Sequence, residues 1–183
     1  ERDYAGISIA FQTSPPQEFA EYSIVEVAGA DPNGTGLFGL DNTAGKDVGN
    51  VRFDDVIGGF NAETRAQGYA AYGGIFVSEL LSLSATLASN ALSSPRFDDI
   101  FTSVCPSLGG QTAGLGESAG ASLRAVQIQE AVRVLGNLIG STISHEIGHS
   151  LGLTALSGYF HNPGDNPGWL MDAGIHRPFE ERA

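Results

Sequence analysis

The stretch "SLRAVQIQEAVRVLGNLIGSTISHEIGHSLG", residues Ser122–Gly152, decides the fold of this chain. It contains no proline, and its apolar residues, such as Val134 and Leu138, recur at steps of three and four. This spacing predicts a long helix with one apolar face. Gly136 and Gly140 can break or kink such a helix, so two consecutive helices are an alternative.

The segments before this helix predict strands and two short helices. Alternation of apolar and polar residues indicates strands at Tyr4–Gln12, Glu21–Ala30, Asn50–Ile57 and Tyr72–Ser78. Short helices are predicted at Leu83–Leu92 and at Ser94–Val104. In the second helix Ser94 is the expected N-cap and Pro95 the first helical residue.

No periodic pattern continues after Gly152, so the C-terminal part is predicted to be irregular. A chain of 183 residues is long enough for one sizeable core. We therefore expect a single α+β domain over residues 1–183. Residues 1–152 would form a sheet and the long helix, and residues 153–183 a C-terminal loop subdomain.

Composition and charge exclude several classes of protein. The formal net charge is −12 and Lys46 is the only lysine, which argues against binding to nucleic acid or to an anionic membrane surface. No run of about 20 apolar residues is present, so membrane insertion is not expected. Cys105 is the only cysteine and lies in apolar surroundings, which excludes an intramolecular disulfide and predicts a buried, inert thiol.

The first residues lack the basic start and apolar stretch of a signal peptide, which indicates a mature or excised domain. The acidic composition suits a secreted or extracellular protein, with the cell surface or the periplasm as alternatives. We expect a monomer, either by itself or as part of a larger secreted chain.

The end of the long helix carries a metal-site pattern. His145 and His149 are four residues apart, so on a helix both rings project from one face and can reach one ion at about 2.0–2.1 Å. Glu146 lies beside them and can accept a proton from a water at the metal without being a ligand itself. The plainer alternative is a helix with two ordinary histidines.

Two further residues fit the functional interpretation. Gly152 can take a positive φ and end the helix abruptly, and Met171, the only methionine, follows in a tight turn. Together with His145, Glu146 and His149, these residues resemble the His-Glu-x-x-His-x-x-Gly pattern and Met-turn of the metzincin zinc endopeptidases, particularly the matrixin-like members. The resemblance rests on the C-terminal quarter of the chain.

The resemblance implies a twisted mixed β-sheet, a long active-site helix and an irregular C-terminal subdomain with Met171 beneath the zinc. It also implies a secreted zinc-dependent endopeptidase that hydrolyses internal bonds of a protein or peptide substrate. Tyr72–Leu80 would then be either the edge strand along which substrate aligns or an ordinary core strand.

The chain departs from the metzincin pattern at the third ligand. Ala155 occupies that position and cannot bind a metal, while catalytic zinc normally has three protein ligands. His161 is the expected replacement, and Asp165, His176 or no third ligand are alternatives. If the ligand has been lost, the domain is instead a catalytically inactive binding or adhesion module.

A different zinc-peptidase arrangement, the gluzincin type, takes its third ligand from a glutamate on a following helix. Glu180 and Glu181 are candidates, but the tail is expected to be too short for a packed helix. The gluzincin arrangement would also leave Gly152 and Met171 unexplained.

A calcium site is a further prediction. The passage "DPNGTGLFGLD" offers Asp31, Asn33, Thr35 and Asp41 as oxygen ligands for a structural calcium ion. The glutamate expected at the twelfth position of such a loop is replaced by Asn42, so a plain turn-rich loop is an equal alternative.

Overall fold

The computed structural model describes residues 2–18, 21–48, 55–60, 71–153, 160–162, 164 and 166–183. Its strands are β1 (Ile24–Val25), β2 (Val27–Ala28), β3 (Gly39–Leu40), β4 (Val56–Ile57) and β5 (Gly74–Phe76). Its α-helices are α1 (Pro95–Phe101), α2 (Leu123–Ser150) and α3 (Phe179–Arg182). Short 3₁₀ helices span Arg2–Tyr4, Val77–Leu83, Pro106–Leu108 and Gly174–His176. The predicted α+β class is therefore confirmed. No helix in the described ranges is both long and apolar enough to span a bilayer.

The described strands form two small sheets instead of the single larger sheet that was expected. β1 pairs with β4 in parallel, and β5 lies between β2, to which it is parallel, and β3, to which it is antiparallel. Glu26 joins the two sheets, because its N–H donates to the Ile57 carbonyl and its own carbonyl accepts from the Ile75 N–H. The predicted strand at 21–30 thus changes its pairing partner at Glu26.

β5 is the central strand of the three-stranded sheet, and all three of its residues are buried. The predicted strand at 72–78 is therefore a core strand. β3 is the edge strand of this sheet on the side of α2, which its residues contact.

Helix α2 is continuous, so Gly136 and Gly140 do not break it. Its N-cap is Ser122, whose hydroxyl accepts a hydrogen bond from the Ala125 N–H at 3.1 Å. A methyl group added at either glycine would meet no heavy atom within 4 Å, which indicates that both face open space. The helix buries its apolar face against α1, α3 and the 3₁₀ helix at 77–83, in a core that includes Leu83, Phe97, Phe101, Val134, Leu138 and Phe179.

Helix α1 confirms its predicted start. The Ser94 hydroxyl accepts from the Arg96 N–H, and Pro95 is the first helical residue. The helix predicted at 83–92 is wrong, since separate turns and a bend interrupt that segment. Asp98 binds the hydroxyl of Ser84 and both the N–H and the hydroxyl of Thr86, and such side-chain bonds compete with helical ones.

The strand predicted at 4–12 is also wrong. Arg2–Tyr4 is a 3₁₀ helix, and turns and bends follow, with Gly6 at a φ of +90°. Tyr4 is buried and its hydroxyl donates to the Ser144 carbonyl at 2.8 Å. Contact with α2, rather than strand pairing, therefore decides the conformation of this segment.

The tail is not too short to pack. α3 contacts both α1 and α2, and Phe179 is fully buried. Glu180 accepts a hydrogen bond from Ser94, and Glu181 pairs with Arg177. Both carboxylates are therefore engaged within the C-terminal packing, which does not favour a glutamate as third metal ligand.

Candidate metal centre and its cavity

Three histidine rings converge at the C-terminal end of α2. His145 and His149 come from the helix, and His161 comes from the segment at 160–162. One nitrogen from each ring lies within 4.8 Å of the corresponding nitrogens of the other two rings. Among the described residues, these three histidines are close enough together to hold a metal ion. The structure thus brings together the three residues predicted as ligands.

The spacing of the helical pair fits one ion. Nε2 of His145 and Nε2 of His149 are 3.1 Å apart. Two ligands of a tetrahedral zinc ion, each about 2.0–2.1 Å from it, lie about 3.3 Å from one another. Three imidazole nitrogens are a donor set that suits zinc and also copper, nickel or iron.

The ring of His145 is oriented by the segment that carries the predicted Met-turn. Its Nδ1 lies 2.8 Å from the carbonyl oxygen of Leu170, to which an N–H at Nδ1 donates. The proton is then held on the far side of the ring, so that the lone pair of Nε2 points toward the other two histidines. Such outer hydrogen bonds set the tautomer of metal-binding histidines.

The histidines are held in the neutral form that metal binding requires. Burial lowers the pKa of His145 to about 4, and burial together with the neighbouring His145 and His161 lowers the pKa of His149 to about 3. Burial also lowers the pKa of His161. Near neutral pH all three rings can donate a nitrogen lone pair.

Gly152 ends the helix as predicted. Its φ is +73°, its N–H donates to the His149 carbonyl, and the N–H of Leu153 donates to the Gly148 carbonyl. This is the Schellman pattern that satisfies the last carbonyls of a helix. A side chain at Gly152 would also overlap Val48, so the position requires glycine for two reasons.

The turn at Met171 packs against the same helix. Met171 is 6% exposed, and a Cβ at Gly148 would overlap its sulfur, so glycine lets the thioether approach the helix between the two ligand positions. The Met171 carbonyl accepts from the Asn162 N–H at 2.8 Å, and Asp172 accepts from the Asn162 side chain at 3.0 Å. The turn therefore also anchors the residue next to His161.

Glu146 is enclosed behind the edge strand β3. It is 5% exposed, and its Oε2 accepts a hydrogen bond from the Asp41 N–H at 2.7 Å. Gly39 leaves the space that the carboxylate occupies, since a Cβ there would lie 2.7 Å from Oε1. Burial raises the pKa of Glu146 to about 8, against the lowering effect of the Asp41 N–H.

The calcium candidates are held in two different places. The Asp31 carboxylate accepts hydrogen bonds from Asn33, Thr35 and the Gly36 N–H, which closes a compact turn. Asp41 instead lies beside Glu146 and accepts from the N–H and hydroxyl of Thr43. The hydrogen bonds explain the loop as a turn, and the calcium site stays a prediction.

Ala155 and Asp165 lie outside the described residues, and so does the side chain of His176. Cys105 is a free, half-buried thiol beside the hydrophobic core, so it is less buried than was predicted.

The histidines and Glu146 open into a cavity of about 460 Å³. One wall is the chain from Gly36 to Asp41, which includes β3. The remaining lining is largely apolar, with Leu92, Phe160 and Ile175, but it also contains the two arginines Arg177 and Arg182. The cavity is large enough for an amino-acid side chain and part of a peptide backbone.

Sequence reasoning missed several residues of this centre. Leu170 contributes a backbone carbonyl, Asp41 contributes a backbone N–H, and Gly39 leaves space for the carboxylate. A pattern of side chains in the sequence does not predict such backbone roles. Asn162 and Asp172 lie in a passage rich in Asn, Asp, Pro and Gly, which signals tight turns but not their partners.

Comparisons with protein-family models, with curated proteins and with solved structures find no match for this chain. The likeness to a family therefore rests on the motif residues alone.

Proposed function

We propose that this chain is a secreted zinc-dependent endopeptidase of the metzincin type. The observation that carries the proposal is the convergence of His145, His149 and His161 in one cavity with the buried carboxylate of Glu146. A structural metal site does not need a carboxylate that faces the same cavity without taking part in the ligand set.

The three histidines would hold the zinc ion, with His161 in the place of the ligand that Ala155 cannot supply. When bound, zinc would supply a Lewis acid that polarises a carbonyl oxygen and makes a water molecule more acidic. Three protein ligands leave a coordination position open to solvent or substrate, as catalytic zinc sites require.

Glu146 would be the general base. Its Oε2 is held by the Asp41 N–H, which fixes the plane of the carboxylate and leaves Oε1 on the side of Gly39. Burial raises the pKa of Glu146 to about 8 in the metal-free protein, and a zinc ion held beside it would favour the ionised carboxylate that accepts a proton. Glu146 would accept a proton from the attacking water and deliver it to the leaving amine.

Substrate would lie along β3. The Phe38 carbonyl pairs with the Phe76 N–H on the inner side of this strand, and in the described part of the chain no strand pairs with its other side. An extended peptide can add to such an edge through main-chain hydrogen bonds. This placement would bring a scissile bond past Glu146, in a protein or peptide substrate.

The test compares the parent with Glu146→Ala and His161→Ala by metal analysis and casein hydrolysis. We expect the parent to bind one zinc ion and cleave casein, Glu146→Ala to keep zinc and lose cleavage, and His161→Ala to lose both. His176→Ala is the matched control, because a loss of zinc there would assign the third ligand to His176.

The experiment also decides between the enzyme and the inactive binding or adhesion module. A parent that binds zinc weakly or not at all and cleaves no peptide would favour the module, which is expected to have lost its third zinc ligand. A parent that binds no zinc would remove the basis of the proposal.

A further inference from the structure

Two buried arginines line the same cavity as the candidate metal centre. The chain has nine lysine and arginine residues and a net charge of −12, yet Arg177 and Arg182 are only 8% and 6% exposed. Both lie in the cavity wall with His145 and Glu146. Burial of a guanidinium is costly unless a partner compensates its charge, so their position requires a reason.

Among the two arginines only Arg177 forms a direct ion pair with a described carboxylate, and the same carboxylate, Glu181, offsets the charge of Arg182 from a longer distance. Nε of Arg177 lies 3.2 Å from a carboxylate oxygen of Glu181. Arg182 instead donates from Nε to the Arg177 carbonyl at 3.0 Å and from Nη2 to the Gly174 carbonyl at 2.8 Å. Its guanidinium stands over the Phe38 ring, 5.3 Å from the centroid. No described carboxylate forms an ion pair with it.

The described acidic groups of the cavity wall form no ion pair with Arg182, although Oδ2 of Asp41 is buried without a hydrogen-bond partner. Asp41 accepts from Thr43, and Glu146 accepts from the Asp41 N–H. Asp172 accepts from the side chain of Asn162 and from the backbone of Asn166. The Arg182 guanidinium thus meets the cavity as a positive charge without an acidic partner among these groups.

The two arginines line the same cavity as His145, His149 and His161. Burial and the neighbouring Arg177 lower the pKa of Arg182 only to about 10, so it stays charged at neutral pH. The Phe38 ring shields one face of the Arg182 guanidinium from water, which strengthens an ionic contact there.

We propose that Arg182, supported by Arg177, forms a subsite that binds a carboxylate of the substrate next to the scissile bond. A guanidinium recognises a carboxylate through paired hydrogen bonds, and Arg182 has N–H groups that its two carbonyl bonds leave unused. The substrate class is therefore acidic peptides. The carboxylate belongs to an Asp or Glu side chain or to a free C-terminus. This inference rests on the proposed peptidase function.

The first experiment uses the parent protein. A peptide library is digested and the cleaved bonds are identified by mass spectrometry, after which matched peptides with Glu or Gln at the preferred position are compared. We expect Glu to be favoured over Gln by about 10- to 100-fold in kcat/KM, as for a hydrogen bond to a charged group. A ratio near one overturns the subsite, while cleavage itself still supports the peptidase.

Two further comparisons identify the source of the carboxylate and the residue that binds it. Peptides with a free C-terminus are compared with their C-terminal amides, since a loss restricted to the amides assigns the subsite to the terminus. Arg182→Gln should bring the Glu-to-Gln ratio toward one. Arg133→Gln is the matched control, because Arg133 is exposed and pairs with Glu130, and it should keep the parent ratio.

A binding measurement separates failure of the subsite from failure of the peptidase. Thermal-shift titration compares glutarate with its mono-amide, which requires no hydrolysis. A larger shift with glutarate that is lost in Arg182→Gln supports the subsite even if no peptide is cleaved. Equal thermal shifts of the parent with glutarate and with its mono-amide overturn the subsite. This comparison needs only the parent, so it holds even if Arg182→Gln does not fold.

Discussion

Replacement of Gly39 by alanine tests the position of Glu146 without touching a metal ligand. The added Cβ would lie 2.7 Å from Oε1 and 3.0 Å from Cγ of Glu146, and 2.8 Å from Cγ2 of Thr142. Gly39 is not among the residues with positive φ, so the backbone accepts alanine and the effect is steric. Either the carboxylate or β3 must move.

The distances set the size of the effect. An ordinary contact begins at 3.4 Å, so the carboxylate oxygen is too close by about 0.7 Å. Overpacking of this kind costs about 1–3 kcal/mol, which for a domain of this size lowers Tm by about 2–12 °C. A catalytic group displaced by about 1 Å loses about 100-fold in rate, so we expect kcat/KM to fall by about 10- to 100-fold.

The assay measures peptide hydrolysis, bound zinc and Tm on Gly39→Ala. Zinc should be retained, because the atoms that the new methyl group meets belong to Glu146 and Thr142 and not to the histidines. Gly136→Ala is the matched control, since nothing lies within 4 Å of its added methyl group and alanine favours a helix by up to about 1 kcal/mol. Parent-like activity and Tm in Gly39→Ala would refute the placement of Glu146 behind β3.

Three further predictions concern the helix ends and the buried carboxylate. Gly152→Ala should destabilise the fold by about 2–4 kcal/mol in urea titrations, from the positive φ and the overlap with Val48, and Val48→Ala should recover part of that loss. Ser94→Ala should cost about 1–2 kcal/mol, because the hydroxyl caps α1 and donates to the carboxylate of Glu180, and an unchanged urea midpoint contradicts this. In chelator-treated protein, burial favours the neutral form of Glu146 and raises its pKa from 4.5 to about 8. The resulting contribution to the free energy of unfolding is present below pH 4.5 and is lost as the pH rises toward 8. The urea midpoint of Glu146→Gln should therefore gain on that of the parent between pH 5 and pH 8.5, and a constant difference would argue against the burial of this charge.

Local features of the chain were predictable where neighbouring residues decide them. Ser94 caps α1 as predicted, because a serine hydroxyl reaches the free N–H groups of the next turn. Gly152 ends α2 because glycine accepts a positive φ without strain.

Prediction failed where distant residues compete with local preference. The alternating segment at 4–12 does not become a strand, because Tyr4 is held against α2 by a bond to Ser144. The segment at 83–92 does not become a helix, because Asp98 binds Ser84 and Thr86. In both cases a contact across the fold is stronger than the tendency of the segment itself.

The residues of the candidate site likewise include some that the sequence predicts and some that only the tertiary structure places. The sequence by itself determined the pair His145 and His149 with Glu146 between them, because helical periodicity places residues four apart on one face. Only the tertiary structure decided that His161 joins them, that an N–H 105 residues away binds Glu146, and that Arg182 enters the same cavity. These approaches depend on loop paths and on hydrogen bonds between distant segments, which no local pattern encodes.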